Sequence, residues 1–286
     1  MIKILQVRNV DNFVESRRQK TSEKDRKVVQ AILNDVRKNG DSAVKKYERK
    51  FNGRKTSQLR VSAKEIKEVV SKIGRKKLQA IDLVGNDVVR LEYLFYSRLK
   101  EAKTSNGSLF SKDSIKKSLI PISSVGCYIP GGLARYPSSA VMSVVPASIA
   151  GVKRIVVVSP PGRDGKIDPL TIAAAKRYGA TEIYKVGGAQ AIGALAYGTK
   201  SIPKVDKIVG PGGKFISIAK SLVSDQTAID MVAGPTELGI IANASSNPEL
   251  VALDLISSSL PCSGLASLLH LLVLLVNLIS PLILIF

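Results

Sequence analysis

Apolar residues recur at helical spacing through roughly the first 110 positions of the chain. One face of a first predicted helix consists of Val28, Val29, Ile32, Leu33 and Val36. Ser22 can cap the start of this helix and Gly40 can end it. Ser62 and Glu65 have the spacing of a second capped helix, and a third is predicted over 76–100. The N-terminal part of the chain is therefore predicted to be helical.

From about residue 117 onward, short apolar segments alternate with helical ones. Runs of β-branched and other apolar residues predict strands over 155–158, 182–186, 207–209 and 238–242. Helical spacing predicts helices over 140–150, 169–178, 189–197 and 215–223. This alternation is typical of βαβ units, so the chain is predicted to be an α/β protein with a parallel sheet and an N-terminal helical region.

Four Gly- or Pro-rich turns accompany the predicted strands, at 128–132, 187–190, 210–213 and 233–236. Ligands bind at the carboxyl ends of parallel strands, and glycine lets the backbone amides there approach a phosphate. A tight left-handed turn explains any single Gly-Gly pair equally well. Together the turns indicate a nucleotide or phosphate ligand, although the chain has no G-x-G-x-x-G fingerprint of an ordinary dinucleotide site.

The loop 226–237, QTAIDMVAGPTE, places Asp230, Thr236 and Glu237 beside the predicted strand 238–242. Carboxylates and a hydroxyl at the edge of a buried strand are typical of a functional site. The alternative is a tight turn followed by a helix cap. For Asp230 and Glu237 both interpretations stay open.

The chain is strongly basic, with 43 Lys and Arg residues against 23 Asp and Glu residues and a formal net charge of +20. Such an excess can mark a nucleic-acid-binding protein. Aromatic residues make up only 5% of the chain and there is no Trp, so stacking platforms for bases are scarce. Because the Lys residues alternate with Glu and Asp along amphipathic helices, we interpret the charge as solvated helix faces and expect no nucleic-acid partner.

The two cysteines, Cys127 and Cys262, form neither a disulfide framework nor a metal-binding pattern. The first ten residues, MIKILQVRNV, are too short and too charged for a signal peptide. We therefore expect a cytoplasmic protein.

Four blocks of sequence resemble the histidinol dehydrogenase family. They are VGCYIPGG (125–132), SVVPASIAGVKRIVVVSPP (143–161), VGGAQAIGALAYGTKSIPKVDKIVGPGG (186–213) and IDMVAGPTE (229–237). The resemblance covers roughly residues 1–257. It implies NAD-dependent oxidation of L-histidinol through L-histidinaldehyde to L-histidine, in histidine biosynthesis, with zinc as a second cofactor and a homodimeric assembly.

The same resemblance implies an incomplete Rossmann-like fold and a set of domain boundaries. Residues 1–115 would be the N-terminal helical part of the first domain, and 116–235 a Rossmann-like NAD-binding domain. Residues 236–257 would return to the first domain, and 258–286 would be an aberrant apolar tail.

By position in the family motifs, Tyr128, Gln190 and Gly213 are the expected NAD contacts, and Thr236 is the expected substrate contact. The family usually has Asn where this chain has Gly213, so one side-chain hydrogen-bond partner is lost. The Thr236 hydroxyl can bond a polar group of an amino alcohol.

The resemblance breaks down near residue 258. The family has Gln and His zinc ligands where spacing from Thr236 places Ser258 and Pro261, and neither residue replaces them. The family's catalytic Glu-His pair and its remaining zinc ligands fall beyond residue 286, so we expect no catalytic or metal residue in this chain. The chain as given is expected to be inactive.

The tail from Leu255 is apolar and uncharged. A frameshift or premature termination at about Ser258 is our favoured explanation. A membrane anchor is the alternative, since 265–286 is long enough to span a bilayer, but no Lys or Arg flanks it and Pro281 lies inside it. For function, the alternatives are a non-catalytic nucleotide-binding or dimerising remnant, or a dehydrogenase of another small polar alcohol.

Overall fold

The computed structural model of the chain describes residues 23–53, 58–101, 119–131, 136–162, 164–232, 240–242, 246–259, 273–278 and 280–285. The chain divides into two compact units. One is Lys27–Val232, and the other combines Met1–Arg26 with Ala233–Phe286. The domain boundaries inferred from the sequence stay a prediction.

The described helices are α1 (Glu23–Asn39), α2 (Asp41–Asn52), α3 (Ala63–Ser71), α4 (Arg75–Glu101), α5 (Pro137–Ile149), α6 (Pro169–Arg177), α7 (Gly188–Tyr197), α8 (Lys214–Val223) and α9 (Pro248–Ser259). The described strands are β1 (Ser124–Tyr128), β2 (Arg154–Ser159), β3 (Glu182–Lys185), β4 (Lys207–Val209), β5 (Ala228–Ile229), β6 (Ile240–Ala242), β7 (Val273–Leu278) and β8 (Ser280–Ile285).

A parallel five-stranded sheet in the order β3-β2-β1-β4-β5 organises the unit Lys27–Val232. Cys127 in the central strand pairs with Val157 on one side and with Val209 on the other. The chain moves outward from β1 to β3 and then returns to place β4 against β1. The topological switch point of this Rossmann-like sheet therefore lies between β1 and β4, and the predicted fold class is confirmed.

Helices cover both faces of this sheet. The core on one face joins buried residues of α1, α2, α7 and α8 to Tyr128, Val156 and Val158. The core on the other face joins residues of α4, α5 and α6 to Val125, Cys127, Ile155 and Val157. Because neighbouring residues of β1 and β2 enter opposite cores, the strands are buried on both faces, as parallel strands usually are.

The chain between α2 and α3 covers the outer edge of β3. The Val61 amide donates to the Ile183 carbonyl at 2.8 Å, and the Lys185 amide donates to the Leu59 carbonyl at 2.7 Å. The predicted cap of the next helix is present, since Ser62 Oγ accepts a hydrogen bond from the Glu65 amide at 3.1 Å. The N-terminal helical region is thus joined to the sheet by backbone pairing as well as by side-chain packing.

In the other unit, β6, β8 and β7 form an antiparallel sheet. The strand predicted over 238–242 is found at Ile240–Ala242, but it pairs with β8 and not with the parallel sheet, so that part of the prediction is wrong. The short run has the composition of a strand, which does not determine its partner. None of the helices that the structure describes combines the length and the apolar character that a bilayer span requires.

Candidate functional site

Three of the four predicted turns meet at the carboxyl edge of the parallel sheet. A Cβ atom at Gly210, which follows β4, would collide with the backbone oxygen of Tyr128 at the end of β1. A Cβ at Gly187, which follows β3, would collide with Pro160 after β2. One at Gly131 would lie 3.0 Å from Ser159 Oγ. These turns therefore pack on one another, and the fourth turn, 233–236, lies outside the described residues.

A buried carboxylate from α2 holds the turn after β3. Glu48 has no exposed surface, and its Oε1 accepts hydrogen bonds from the Gly187 amide and from Gln190 Nε2, both at 2.9 Å. Gly187 is the N-cap of α7, where backbone amides point outward without partners in the helix. Glu48 thus supplies an acceptor from a distant part of the chain.

Tyr128 completes this cluster from the end of β1. Its side chain is buried, and the Gly188 amide is close enough to influence its hydroxyl. Burial raises the pKa of Tyr128 to about 12, and the nearby negative charge of Glu48 adds to that effect, while the backbone amide of Gly188 opposes it. The phenol is therefore neutral at physiological pH.

These bonds change the expectation for the turn 187–190. The Gly187 amide already donates to Glu48, so it is not free to cradle a phosphate. Gly188 has a φ of +62°, which favours glycine for a purely conformational reason. The glycines of this turn are explained by chain geometry and close packing.

Gln190 is 1% exposed, and its side chain has one polar atom without a partner. Its Nε2 donates to Glu48, but among the described residues nothing donates to its Oε1. A buried acceptor without a donor costs roughly 1–3 kcal/mol. An N–H or O–H donor of a ligand would recover that energy.

A second carboxylate holds the turn after β4. Asp230 Oδ2 accepts a hydrogen bond from the Gly210 amide at 2.9 Å, and Lys220 Nζ donates to the Gly210 carbonyl at 3.1 Å. Lys220, which is 2% exposed, also forms an ion pair with Asp230. The structure thus gives Asp230 the turn-stabilising role that was one of its two interpretations.

The ionisation of Asp230 follows from these contacts. Partial burial raises the pKa of the Asp230 carboxyl, but the hydrogen bonds from Lys220, Gly210 and Met231 together outweigh burial and bring the pKa below 3.8. The carboxylate is therefore charged at neutral pH and matched by the Lys220 ammonium.

Gly213 differs from the other glycines at this edge. It is exposed at the N-cap of α8, and a Cβ built on it would meet no atom of the described residues within 4 Å. Its φ of −67° is one that any residue adopts. Packing therefore does not require glycine at 213, and the position is open to a larger side chain or to a ligand.

Thr236, Glu237 and Pro261 lie outside the described residues, and Ser258 is in the last turn of α9. Sequence analysis missed Glu48 and Lys220. The sequence contains a signal for both, because each is a charged residue on the apolar face of its helix. Glu48 follows buried Val44 by four residues, and Lys220 follows buried Ile216 by four residues.

Known proteins match most of this chain. The family model for histidinol dehydrogenase matches residues 15–259. The histidinol dehydrogenase of Bacillus licheniformis is 42% identical over 238 residues, which are 83% of this chain and 55% of that protein. The histidinol dehydrogenase of Methanocaldococcus jannaschii is 42% identical over 231 residues, which are 81% of this chain and 53% of that protein.

A solved structure agrees with these sequence matches. The crystal structure of histidinol dehydrogenase from Elizabethkingia anophelis superposes with a TM-score of 0.75 at 31% identity, over 90% of this chain and 59% of that one. The chain spans about half the length of the curated relatives it matches. With the motifs on its sheet edge and a family match over 15–259, the chain belongs to the histidinol dehydrogenase family.

Proposed function

We propose that this chain carries the NAD-binding part of a histidinol dehydrogenase, which oxidises L-histidinol through L-histidinaldehyde to L-histidine. The observation that carries the proposal is the position of Tyr128, Gln190 and Gly213. They follow or end β1, β3 and β4 at one carboxyl edge, on both sides of the topological switch point. Dinucleotides bind at this place in doubly wound sheets.

The residues at this edge fit such a ligand in two respects. Gln190 Oε1 is a buried acceptor to which none of the described residues donates, and NAD carries amide N–H and hydroxyl O–H groups that can donate to it. Gly213 leaves open space at the start of α8. When bound, NAD supplies the acceptor for the hydride removed from the substrate.

The residues at the expected zinc positions do not fit a zinc ion. Ser258 offers a hydroxyl, which is a poor zinc ligand, and Pro261 has no ligating atom in its side chain. The only histidine of the chain is His270. We therefore propose that the chain by itself neither retains zinc nor completes the oxidation, and that Thr236 contacts L-histidinol only in the context of a complete site.

Calorimetric titration of the purified chain with NAD tests the cofactor proposal. We expect saturable binding, and we expect Gln190→Ala to weaken it about 10-fold, the effect of one lost hydrogen bond. Gln226→Ala is the matched control, because Gln226 is an exposed glutamine that precedes β5, away from the carboxyl ends of the strands. The proposal fails if the wild-type chain does not bind NAD or if Gln190→Ala binds it unchanged.

Metal analysis and an NADH assay with L-histidinol, on the same preparation, separate a cofactor-binding remnant from a complete enzyme. We expect no stoichiometric zinc and no turnover. One zinc ion per chain together with measurable NADH formation would contradict this part of the proposal. Turnover with another small polar alcohol alone would favour a related dehydrogenase.

Two further family properties belong to this proposal. A homodimer is expected because histidinol dehydrogenases of the family assemble in this way, and light scattering of the purified chain would detect it. The cytoplasm is the expected compartment for an enzyme of amino-acid biosynthesis.

A further inference from the structure

Glu48 connects the N-terminal helices to the turn that carries Gln190. It lies 139 and 142 positions before its two hydrogen-bond partners, Gly187 and Gln190. Helix α2 places it there by packing against α7 in the same buried core. The contact therefore forms only when the N-terminal region is docked on the sheet.

A carboxylate in this position is costly unless N–H groups surround it. Its neighbours on the same face of α2 are Val44 and Tyr47, which are buried apolar or aromatic side chains. Burial of a carboxylate without donors costs far more than burial of an apolar group. The two N–H groups of Gly187 and Gln190 provide charge-assisted hydrogen bonds, which are roughly twice as strong as neutral ones.

The direction of the Gln190 amide follows from this contact. Only the NH₂ end of the amide can donate to a carboxylate, so the carbonyl oxygen Oε1 must point away from Glu48. That oxygen is the atom that receives no hydrogen bond from the part of the chain that the structure describes. Without Glu48, the two ends of the amide could exchange places, and the ligand would meet either a donor or an acceptor.

The geometry points to Glu48 as a positioning residue for the cofactor: it fixes the Gln190 amide so that Oε1 accepts a hydrogen bond from an N–H or O–H group of NAD. This inference rests on the proposed NAD function. Glu48 acts through Gln190 and does not itself touch the ligand. Tyr128 belongs to the same cluster, because it is buried in the same core and both the Gly188 amide and the Glu48 carboxylate act on its hydroxyl.

The first arm of the test needs no cofactor. In an ¹⁵N NMR spectrum, the carboxylate should shift the Gly187 amide and the Gln190 side-chain NH₂ protons downfield. Glu48→Gln should move both signals upfield. Glu65→Gln is the matched control, because Glu65 bonds Lys185, the last residue of β3, at 2.7 Å. It should leave both signals in place.

Should Glu48→Gln fail to fold, Glu48→Asp replaces it, since the shorter side chain keeps the charge but withdraws the acceptor. In either variant, unchanged Gly187 and Gln190 signals would overturn the inference. Signals that move equally in Glu65→Gln would also overturn it, because the effect would then be a general response to a lost carboxylate.

The second arm measures NAD affinity by calorimetry. We expect Glu48→Gln to weaken binding about 3- to 10-fold, because a neutral hydrogen bond replaces a charge-assisted one. In a Gln190→Ala background the same substitution should cause no further loss, since Glu48 acts through Gln190. Losses that add in the double variant would contradict a positioning role.

The two arms separate this inference from the proposed function. If the wild-type chain binds no NAD, the proposed function fails. The NMR comparison then still decides whether Glu48 orients the Gln190 amide. If NAD binds and Gln190→Ala weakens binding while Glu48→Gln changes neither affinity nor spectrum, only the role of Glu48 is refuted.

Discussion

The turns after β3 and β4 are each held by a carboxylate, but the two carboxylates differ in burial and in their distance along the sequence. In each, a backbone amide at the end of a parallel strand donates to a carboxylate at 2.9 Å. Glu48 reaches Gly187 from 139 positions away and is fully buried. Asp230 reaches Gly210 from 20 positions away, keeps 28% of its side chain exposed and is paired with Lys220.

Because of this difference, the two turns depend on different parts of the chain. The polar contacts that hold the turn at Gly210 come from Lys220 and Asp230, which lie within 20 positions of it in the sequence. The turn at Gly187 requires α2, which belongs to the N-terminal helical region. One half of the candidate site is therefore local in sequence, whereas the other half depends on long-range packing.

The largest expected effect comes from breaking the turn after β4 directly. Gly210 has a φ of +112°, and a Cβ there would collide with the backbone oxygen of Tyr128. Gly210→Ala should therefore lower the free energy of unfolding by about 3–5 kcal/mol, as expected for strain combined with a backbone clash. Urea denaturation followed by circular dichroism measures this change.

Gly213→Ala is the matched control three positions away, because within the described ranges its Cβ would meet no atom closer than 4 Å. It should change the free energy of unfolding by less than about 1 kcal/mol. Equal losses in the two variants would show that backbone geometry at Gly210 is not what holds this turn.

A smaller effect is expected from the charge on Asp230. Its folded-state pKa lies below 3.8, so the folded chain binds fewer protons than the unfolded chain at acidic pH. The stabilisation from ionised Asp230 is complete above its unfolded pKa and is lost as the pH falls through the folded pKa. Asp230→Asn should cost about 1–2 kcal/mol at pH 7 and progressively less below pH ~4.

Unfolding free energies of the wild type and of Asp230→Asn, measured by urea denaturation from pH 3 to pH 7, are the relevant data. Asp225→Asn serves as the control, because Asp225 is exposed and lies outside the turn. A gap between wild type and Asp230→Asn that widens toward low pH would contradict the predicted sign.

The smallest expected effect is an increase in the affinity for NAD. Gly213→Asn restores the residue usual in the family at a position with open space around it. One added hydrogen bond should tighten NAD binding about 3- to 10-fold, measured by calorimetry. Gly213→Ala, which adds bulk but no polar group, should leave the affinity near that of the wild type. A gain equal in both variants would assign the effect to helix capping or rigidity instead.

Much of the architecture could be predicted because the spacing of apolar residues within one element indicates whether it is a helix or a strand. The β-branched run Arg154–Ser159 and the capped helix after Ser62 lie where the pattern predicts them. The central strand, Ser124–Tyr128, was missed. Its sequence SVGCY is short and contains glycine, and only its pairing with β2 and β4 makes it a strand.

The candidate site was harder to predict than the sheet. Motif spacing indicates Tyr128 and Gln190, but nothing in the local sequence shows that a Glu on α2 will meet them. Glu48 and Lys220 are unusual in the sequence because they are charged residues at positions where their helices otherwise bury apolar side chains. The partner of Glu48 lies more than one hundred positions away and depends on how α2 packs against the sheet. The partner of Lys220 lies ten positions away, in the turn that precedes α8.

The segment that covers β3 has a consequence for association between chains. A bare edge of a parallel sheet offers unpaired N–H and C=O groups to any other extended chain. Here the Leu59 carbonyl and the Val61 amide occupy positions along that edge. The N-terminal region that contains Glu48 thus also protects this edge of the sheet from pairing with the strands of other chains. If its helices detached, the chain would expose the edge of β3 to aggregation and would also lose the contact that orients Gln190.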